Sequence, residues 1–95
     1  MLGVPFNVPS YSALLLMMAH CMEMRPGRFI WSGGDIHIYA NHLEGAHEYL
    51  TRPMHPLCRA VIDNPSRVFS ELRAARDIKI TDYVSEGKID FPVAV

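Results

Sequence analysis

The sequence predicts a mixed fold of the α/β or α+β class, in which a mixed sheet packs against helices. Helical periodicity and strand-like alternation follow one another along the 95 residues, and no linker, repeat or low-complexity tract divides the chain. Residues 13–19 are apolar on every face of their predicted helix, a pattern typical of a protein interior. We therefore expect one domain, or part of one, that includes one fully apolar buried helix.

The amino-terminal part is predicted to form a loop followed by that helix. Two prolines within residues 1–9 indicate an entry loop. The helix is expected over residues 10–23, because Ser10 can cap its amino terminus and Gly27 follows its end.

Two strands are expected in the middle of the chain. The first covers residues 29–31 and leads into a bend at two successive glycines, and the second covers residues 35–40. Because successive side chains of a strand point to opposite faces, Asp35, His37 and Tyr39 would share one face of the second strand.

The carboxyl-terminal half is predicted to alternate between helices and strands. A helix capped by Asn41 is expected over residues 41–51, and a strand is expected over residues 57–62. A helix over residues 64–76 and a strand over residues 78–81 complete the predicted elements.

The composition excludes several functional classes. The formal net charge is −1 and no basic cluster occurs, so a nucleic-acid partner is not expected. No apolar run is long enough to span a bilayer and no basic segment precedes one, so neither membrane insertion nor a signal peptide is expected. The two cysteines, Cys21 and Cys58, are too few for a disulfide framework and favour a reducing, cytoplasmic location.

The histidines and cysteines match no common metal or nucleophile motif. Neither CxxC nor HExxH occurs, and a closed zinc site needs four convergent ligands, so no metal is expected. Cys21 falls in the apolar helix, and Cys58 begins a predicted strand whose next residue, Arg59, points to the opposite face. Because a reactive thiolate needs a basic, partly exposed setting, we interpret both cysteines as structural.

Three polar residues remain as candidates for ligand binding. The amide of Asn7 presents a donor and an acceptor together, as matching the edge of uracil requires. His37 and Tyr39, on one predicted strand face, are both able to bond a sugar hydroxyl. On the residues alone, two simpler interpretations stay open: Asn7 as a turn residue between prolines, and His37 and Tyr39 as solvated side chains.

Three matches in order carry a family resemblance, and the first of them consists of two neighbouring segments. Residues 2–7 read Leu-Gly-Val-Pro-Phe-Asn, and residues 10–15 read Ser-Tyr-Ser-Ala-Leu-Leu. Residues 29–42 read Phe-Ile-Trp-Ser-Gly-Gly-Asp-Ile-His-Ile-Tyr-Ala-Asn-His, and residues 92–95 read Pro-Val-Ala-Val. At these separations the segments resemble the signature of the thymidylate synthase family. The resemblance implies that residues 1–95 are the C-terminal portion of a thymidylate synthase domain with that family's fold.

The resemblance also implies an activity. Such an enzyme is a methyltransferase of nucleotide biosynthesis that converts dUMP to dTMP, with 5,10-methylenetetrahydrofolate as carbon donor and reductant and without a metal. In the family, a cysteine thiolate adds to C6 of the uracil, C5 then captures the folate methylene, and hydride from the folate completes the methyl group. The implied partners are dUMP, a reduced folate, and either a second copy in a homodimer or a complementing N-terminal half.

The resemblance gives roles to individual residues. Asn7 corresponds to the asparagine that reads the uracil edge, and His37 and Tyr39 correspond to the pair that bonds the deoxyribose hydroxyl. The residues at folate-contacting positions are Leu2, Gly3 and Phe6 near the amino terminus, and Ala94 and Val95 in the C-terminal segment that closes over the folate.

The sequence departs from the family pattern at the nucleophile. It contains neither the Pro-Cys-His motif nor the Arg-Ser-x-Asp segment that normally precedes Leu2, and both of its cysteines follow the asparagine motif. No catalytic residue is therefore assigned, and these 95 residues alone are expected to be inactive. Residues 85–88 also replace the His-Pro dipeptide that is common before the family's C-terminus.

Two alternatives stay open at this point. A pyrimidine nucleotide hydroxymethylase of the same superfamily would add water where the synthase adds hydride. Asn7 favours uracil over cytosine, but it does not separate those two reactions. A non-catalytic remnant or dimerising module would use the apolar helix to pair with itself or with a partner.

Overall fold

Within residues 2–93, three helices and a two-stranded sheet make up the regular structure. The computed structural model describes residues 2–93. Its elements are helix α1 (Val4–Cys21), a 3₁₀ turn (Ala40–His42) that leads into helix α2 (Leu43–Thr51), strand β1 (Arg59–Ile62), a second 3₁₀ turn (Phe69–Glu71), the short helix α3 (Ala74–Asp77) and strand β2 (Ile78–Thr81). The predicted mixture of helices and strands is confirmed.

Helix α1 begins earlier than predicted and includes most of the expected entry loop. Pro5 lies in the first turn, where a missing N–H leaves no bond unmade and the fixed φ favours the helix. The interior Pro9 lacks the N–H that would bond to the Pro5 carbonyl, and its ring crowds that carbonyl. Ser10 does not cap the helix, because its hydroxyl donates to the Phe6 carbonyl at 2.7 Å. The prediction of a loop over residues 1–9 is therefore wrong for residues 4–9.

The expectation of a fully buried apolar helix is also wrong in this structure. Only Ala19 of α1 is buried, whereas Leu14 and Met18 are 41% and 39% exposed. The helix is apolar around its circumference, but β1, α3 and the second 3₁₀ turn cover it on one flank. Within the described residues, no helix is long and apolar enough to cross a membrane.

The folded chain exposes more surface than a protein of its mass normally does. Its accessible surface is 8042 Å², against about 5,500 Å² for a compact monomer of this mass. Its radius of gyration is 16.2 Å, against about 12 Å for a compact domain of this length. Among residues 2–93, the buried apolar residues are Ala19, Ala46 and Leu72. The hydrophobic core is thus small relative to the apolar content of the sequence.

The two strands expected in the middle of the chain do not form. Residues 24–39 contain no helix or strand, and the only feature is a bend at Gly34 and Asp35. A strand needs a neighbour for its backbone groups, and the one ladder within residues 2–93 joins β1 to β2. Instead, two apolar side chains fold over Gly33, where an added Cβ would lie 2.6 Å from Ile36 and 2.7 Å from Trp31.

The sheet is antiparallel and smaller than the mixed sheet predicted. Strand β1 pairs with β2, with Arg59 opposite Thr81 and Ile62 opposite Ile78. The predicted strand over residues 78–81 is confirmed, and the one predicted over residues 57–62 begins two residues later, at Arg59.

The predicted helix over residues 64–76 is wrong for most of its length, since only its last residues are helical, in α3, and the bonds of this region converge on Asp77. This carboxylate is buried and accepts hydrogen bonds from the backbone N–H of Arg73 at 2.7 Å and from Arg76 Nε at 2.6 Å. Its own carbonyl accepts from the Asp63 N–H at 2.7 Å. The hydrogen bond from Arg76 is the main reason that the pKa of Asp77 lies well below its usual value. These tertiary bonds favour a compact turn over a continuous helix.

Candidate functional site

Asn7 lies in the second turn of α1 and is exposed. Its backbone N–H donates to the Gly3 carbonyl at 3.0 Å, so the predicted turn role is wrong and the residue is helical. Within residues 2–93 its side-chain amide makes no hydrogen bond. The amide therefore keeps both a donor and an acceptor for a ligand.

The predicted folate-contacting residues near the amino terminus are close neighbours of Asn7 in the sequence. An added Cβ on Gly3 would lie 4.0 Å from Asn7 Nδ2, and Phe6, the preceding residue, is 72% exposed. Leu2 is also exposed. Exposed apolar side chains and one free amide thus lie within one short stretch of chain, which we call the Asn7 group (Leu2, Gly3, Phe6 and Asn7). The other predicted folate contacts, Ala94 and Val95, lie outside the described residues.

His37 and Tyr39 lie side by side, although no strand holds them. Their rings meet edge to face, with centroids 5.1 Å apart and an interplanar angle of 76°. His37 Nδ1 lies 3.4 Å from Asp35 Oδ1, a long contact between exposed groups. Tyr39 is also exposed, so both side chains can reach a ligand. Asp35, His37 and Tyr39 are therefore close together, as predicted, but they form a local cluster in an irregular segment and do not share a strand face.

His42 connects this pair to the C-terminal segment, by which we mean residues 86–93. Its ring is 1% exposed and packs edge to face on Tyr39, with centroids 5.5 Å apart, and on Phe91, with centroids 5.1 Å apart. His42 Nε2 donates a hydrogen bond to the Pro92 carbonyl at 2.6 Å. No sequence motif marks His42, because its burial depends on a contact with a residue 50 positions away.

Helix α2 holds the C-terminal segment along one face. Gly45 follows His42 by three residues, so the two share a helix face. At Gly45, an added Cβ would lie 2.5 Å from Phe91 Cε1, so the helix backbone touches the Phe91 ring. Asn41 lies in the preceding 3₁₀ turn and makes no side-chain cap, contrary to prediction, but α2 ends at Thr51 as predicted.

The far end of α2 holds the loop of residues 85–88. Arg52 Nη1 donates to the Gly87 carbonyl at 2.7 Å, and Arg52 Nη2 donates to Glu48 at 2.5 Å. His55 contacts Glu86 through a further side-chain hydrogen bond. The C-terminal segment is therefore attached to α2 at both ends, through Arg52 and through His42.

The structure brings the candidate residues into two groups. No hydrogen bond or ring contact within residues 2–93 joins the Asn7 group to the cluster of His37 and Tyr39.

Cys21 is half-buried and Cys58 is exposed, and both are free thiols. In the part of the chain that the structure describes, no set of three or more His, Cys, Asp or Glu side chains is arranged to hold a metal ion.

One known family matches the chain over a range that includes both groups. A model of the family described as thymidylate synthase matches residues 1–95, the whole chain. The match includes the segments that contain Asn7, His37 and Tyr39, and it also includes the C-terminal segment that packs on α2.

Proposed function

The chain belongs to the thymidylate synthase family of dTMP-forming methyltransferases, and on that premise we propose that residues 1–95 are the C-terminal portion of a domain that methylates dUMP. The observation that carries the proposal is the family match over the whole chain. The co-substrate in this family is 5,10-methylenetetrahydrofolate. A cytoplasmic location, expected from the cysteine content, is part of the same proposal.

The nucleotide is proposed to bind between the two groups of residues. The free amide of Asn7 is suited to uracil, since it can donate to O4 while accepting from N3–H. His37 and Tyr39 would bond the deoxyribose hydroxyl through their exposed polar atoms. The apolar part of the Asn7 group, together with Ala94 and Val95, would contact the folate.

The nucleophile is proposed to come from polypeptide other than these 95 residues. The sequence contains no Pro-Cys-His motif, and Cys21 and Cys58 both follow the asparagine motif. What these residues contribute is therefore orientation: they hold the uracil and the sugar so that a thiolate supplied from elsewhere meets C6. Loss of such positioning lowers the rate even when every reacting group is present.

The large exposed surface supports the proposal that other polypeptide covers part of the chain. The accessible area exceeds that of a compact monomer by about 2,500 Å², which is in the range of obligate subunit interfaces. Members of the family are typically dimeric. We therefore propose that either a second copy or a complementing N-terminal portion covers α1.

Nucleotide discrimination by Asn7 tests the proposal. The wild-type chain is expected to bind dUMP in preference to dCMP by isothermal titration calorimetry. Asn7→Asp should reverse that preference, because a carboxylate accepts from the cytosine N4 amino group and can no longer donate to uracil O4. Asn41→Asp makes the same change at another exposed asparagine and should leave the preference unchanged.

One result would favour a different function. If the folded chain binds neither nucleotide, the proposal is overturned, and the exposed apolar α1 would then favour a non-catalytic dimerising module. If dUMP binds, the mass of the product formed by the complete enzyme separates methylation from hydroxymethylation, because addition of water leaves an extra oxygen on the base.

A further inference from the structure

We propose that His42 is a positioning residue that joins the C-terminal segment to His37 and Tyr39, so that nucleotide binding and the placing of residues 91–93 depend on each other. This inference rests on the proposed function, because it requires a nucleotide at His37 and Tyr39. It goes further by giving a role to a buried residue that contacts neither proposed ligand.

The first support is a continuous series of ring contacts. His37 packs on Tyr39, Tyr39 packs on His42, and His42 packs on Phe91, with centroid separations of 5.1, 5.5 and 5.1 Å. All three contacts are edge to face, the geometry that aromatic rings favour. Within residues 2–93, Tyr39 and Phe91 make no ring contact with each other. A displacement of Tyr39 therefore reaches Phe91 through the His42 ring.

The second support is the hydrogen bonding of His42. A carbonyl can only accept, so the 2.6 Å contact with Pro92 places the proton on Nε2. For a neutral ring, Nδ1 is then an acceptor, and it is buried without a partner among the described residues. The ring thus has a single hydrogen bond that fixes its orientation, and that bond is made to the C-terminal segment.

The consequence for ligand binding follows from these contacts. A nucleotide that orders Tyr39 would also order the His42 ring and, through Phe91 and Pro92, the C-terminal segment. Energetic coupling between two sites is reciprocal, so a well-placed C-terminal segment would in turn favour nucleotide binding. His42 is suited to this role because it contacts both partners while remaining buried and clear of solvent.

The inference can be tested without ligand. The chain has four phenylalanines, so uniform labelling with 4-fluorophenylalanine gives four fluorine resonances, and Phe91→Leu assigns the one from Phe91. Tyr39→Leu is expected to shift the Phe91 resonance in the wild-type background and to leave it unchanged in a His42→Ala background. An unchanged Phe91 resonance in the single Tyr39→Leu variant would overturn the proposal. This single variant is sufficient for that result even if His42→Ala does not fold.

Binding measurements test the second half of the inference. His42→Ala is expected to weaken dUMP binding by roughly tenfold and to abolish the dUMP-induced shift of the Phe91 resonance. His42→Phe keeps the ring but loses the hydrogen bond to Pro92, so an intermediate loss is expected. The control is His47→Ala, which removes an exposed histidine from α2. It should change neither the affinity for dUMP nor the shift of the Phe91 resonance.

The outcomes separate this inference from the proposed function. If the wild type binds dUMP and His42→Ala binds it equally well, the positioning role is overturned while the proposed function stands. If the wild type binds no dUMP, the proposed function is overturned and the positioning role falls with it. Circular dichroism and melting curves of the His42 variants show whether a loss of binding comes from unfolding, and His42→Phe is used if His42→Ala does not fold.

Discussion

Replacement of Gly45 by alanine tests the contact between α2 and the C-terminal segment. An added Cβ would lie 2.5 Å from Phe91 Cε1, 3.0 Å from Cζ and 3.1 Å from Cδ1. Carbon atoms in contact normally lie about 3.5–4.0 Å apart. The substitution therefore requires the Phe91 ring to move by roughly 1 Å, away from the position in which it packs on His42.

Two opposing effects set the size of the change. Overpacking of this kind costs about 1–3 kcal/mol. Alanine is favoured over glycine inside a helix by about 1 kcal/mol. The free energy of unfolding of Gly45→Ala is therefore expected to fall by about 0–2 kcal/mol, the difference between the two effects.

The same substitution should change sign when Phe91 is absent. In a Phe91→Ala background the clash is removed, so Gly45→Ala is expected to stabilise the chain by about 1 kcal/mol. Urea unfolding of the four proteins gives the coupling energy directly. Equal stabilisation by Gly45→Ala in both backgrounds would refute the packing of Phe91 on α2, and with it the route from His42 to the C-terminal segment.

Three further predictions concern the remaining contacts. The pKa of Asp77 is lowered chiefly by its hydrogen bond from Arg76, so its stabilising effect is present above the ordinary pKa of 3.8 and is lost as the pH falls through the lower folded-state value. Melting temperatures measured from about pH 4 to about pH 2 should therefore fall less steeply for Asp77→Asn than for the wild type, and equal slopes would contradict this assignment. Arg52→Met removes the donor to the Gly87 carbonyl and is expected to cost about 0.5–1.5 kcal/mol in urea unfolding; no loss would show that this loop is held by other contacts. Leu14→Ser changes an exposed position and should alter stability by only about 0.5 kcal/mol while weakening self-association in sedimentation experiments, whereas unchanged association would exclude α1 as a surface covered by a second copy.

Local sequence patterns predicted the elements that depend on local interactions. Strand β2 was predicted over the residues that form it, and the end of α2 was predicted at Thr51. The strands expected over residues 29–31 and 35–40 do not form, because alternation describes side-chain faces and does not supply a pairing partner. The helix expected over residues 64–76 forms only in its last turn, because Asp77 binds the backbone N–H of Arg73 nearby and that of Asp63 farther away, which local periodicity does not reveal.

The candidate site was predictable only in part. His37 and Tyr39 lie together as expected, because they are close in sequence, even though the strand face that suggested their pairing is not formed. Asn7 remains exposed with a free amide, although it is helical and not in a loop. His42 could not be found from its pattern, since its burial depends on Phe91 and Pro92 at the opposite end of the chain.

The central claim is that Asn7, His37 and Tyr39 read one nucleotide, and an NMR titration with dUMP tests it most directly. The side-chain amide signals are simple to assign, because the sequence has asparagines only at positions 7, 41 and 64 and no glutamine. We predict that the Asn7 amide and the His37 and Tyr39 ring signals all move with one dissociation constant. Separate dissociation constants for the two groups, or signals that do not move, would contradict the account.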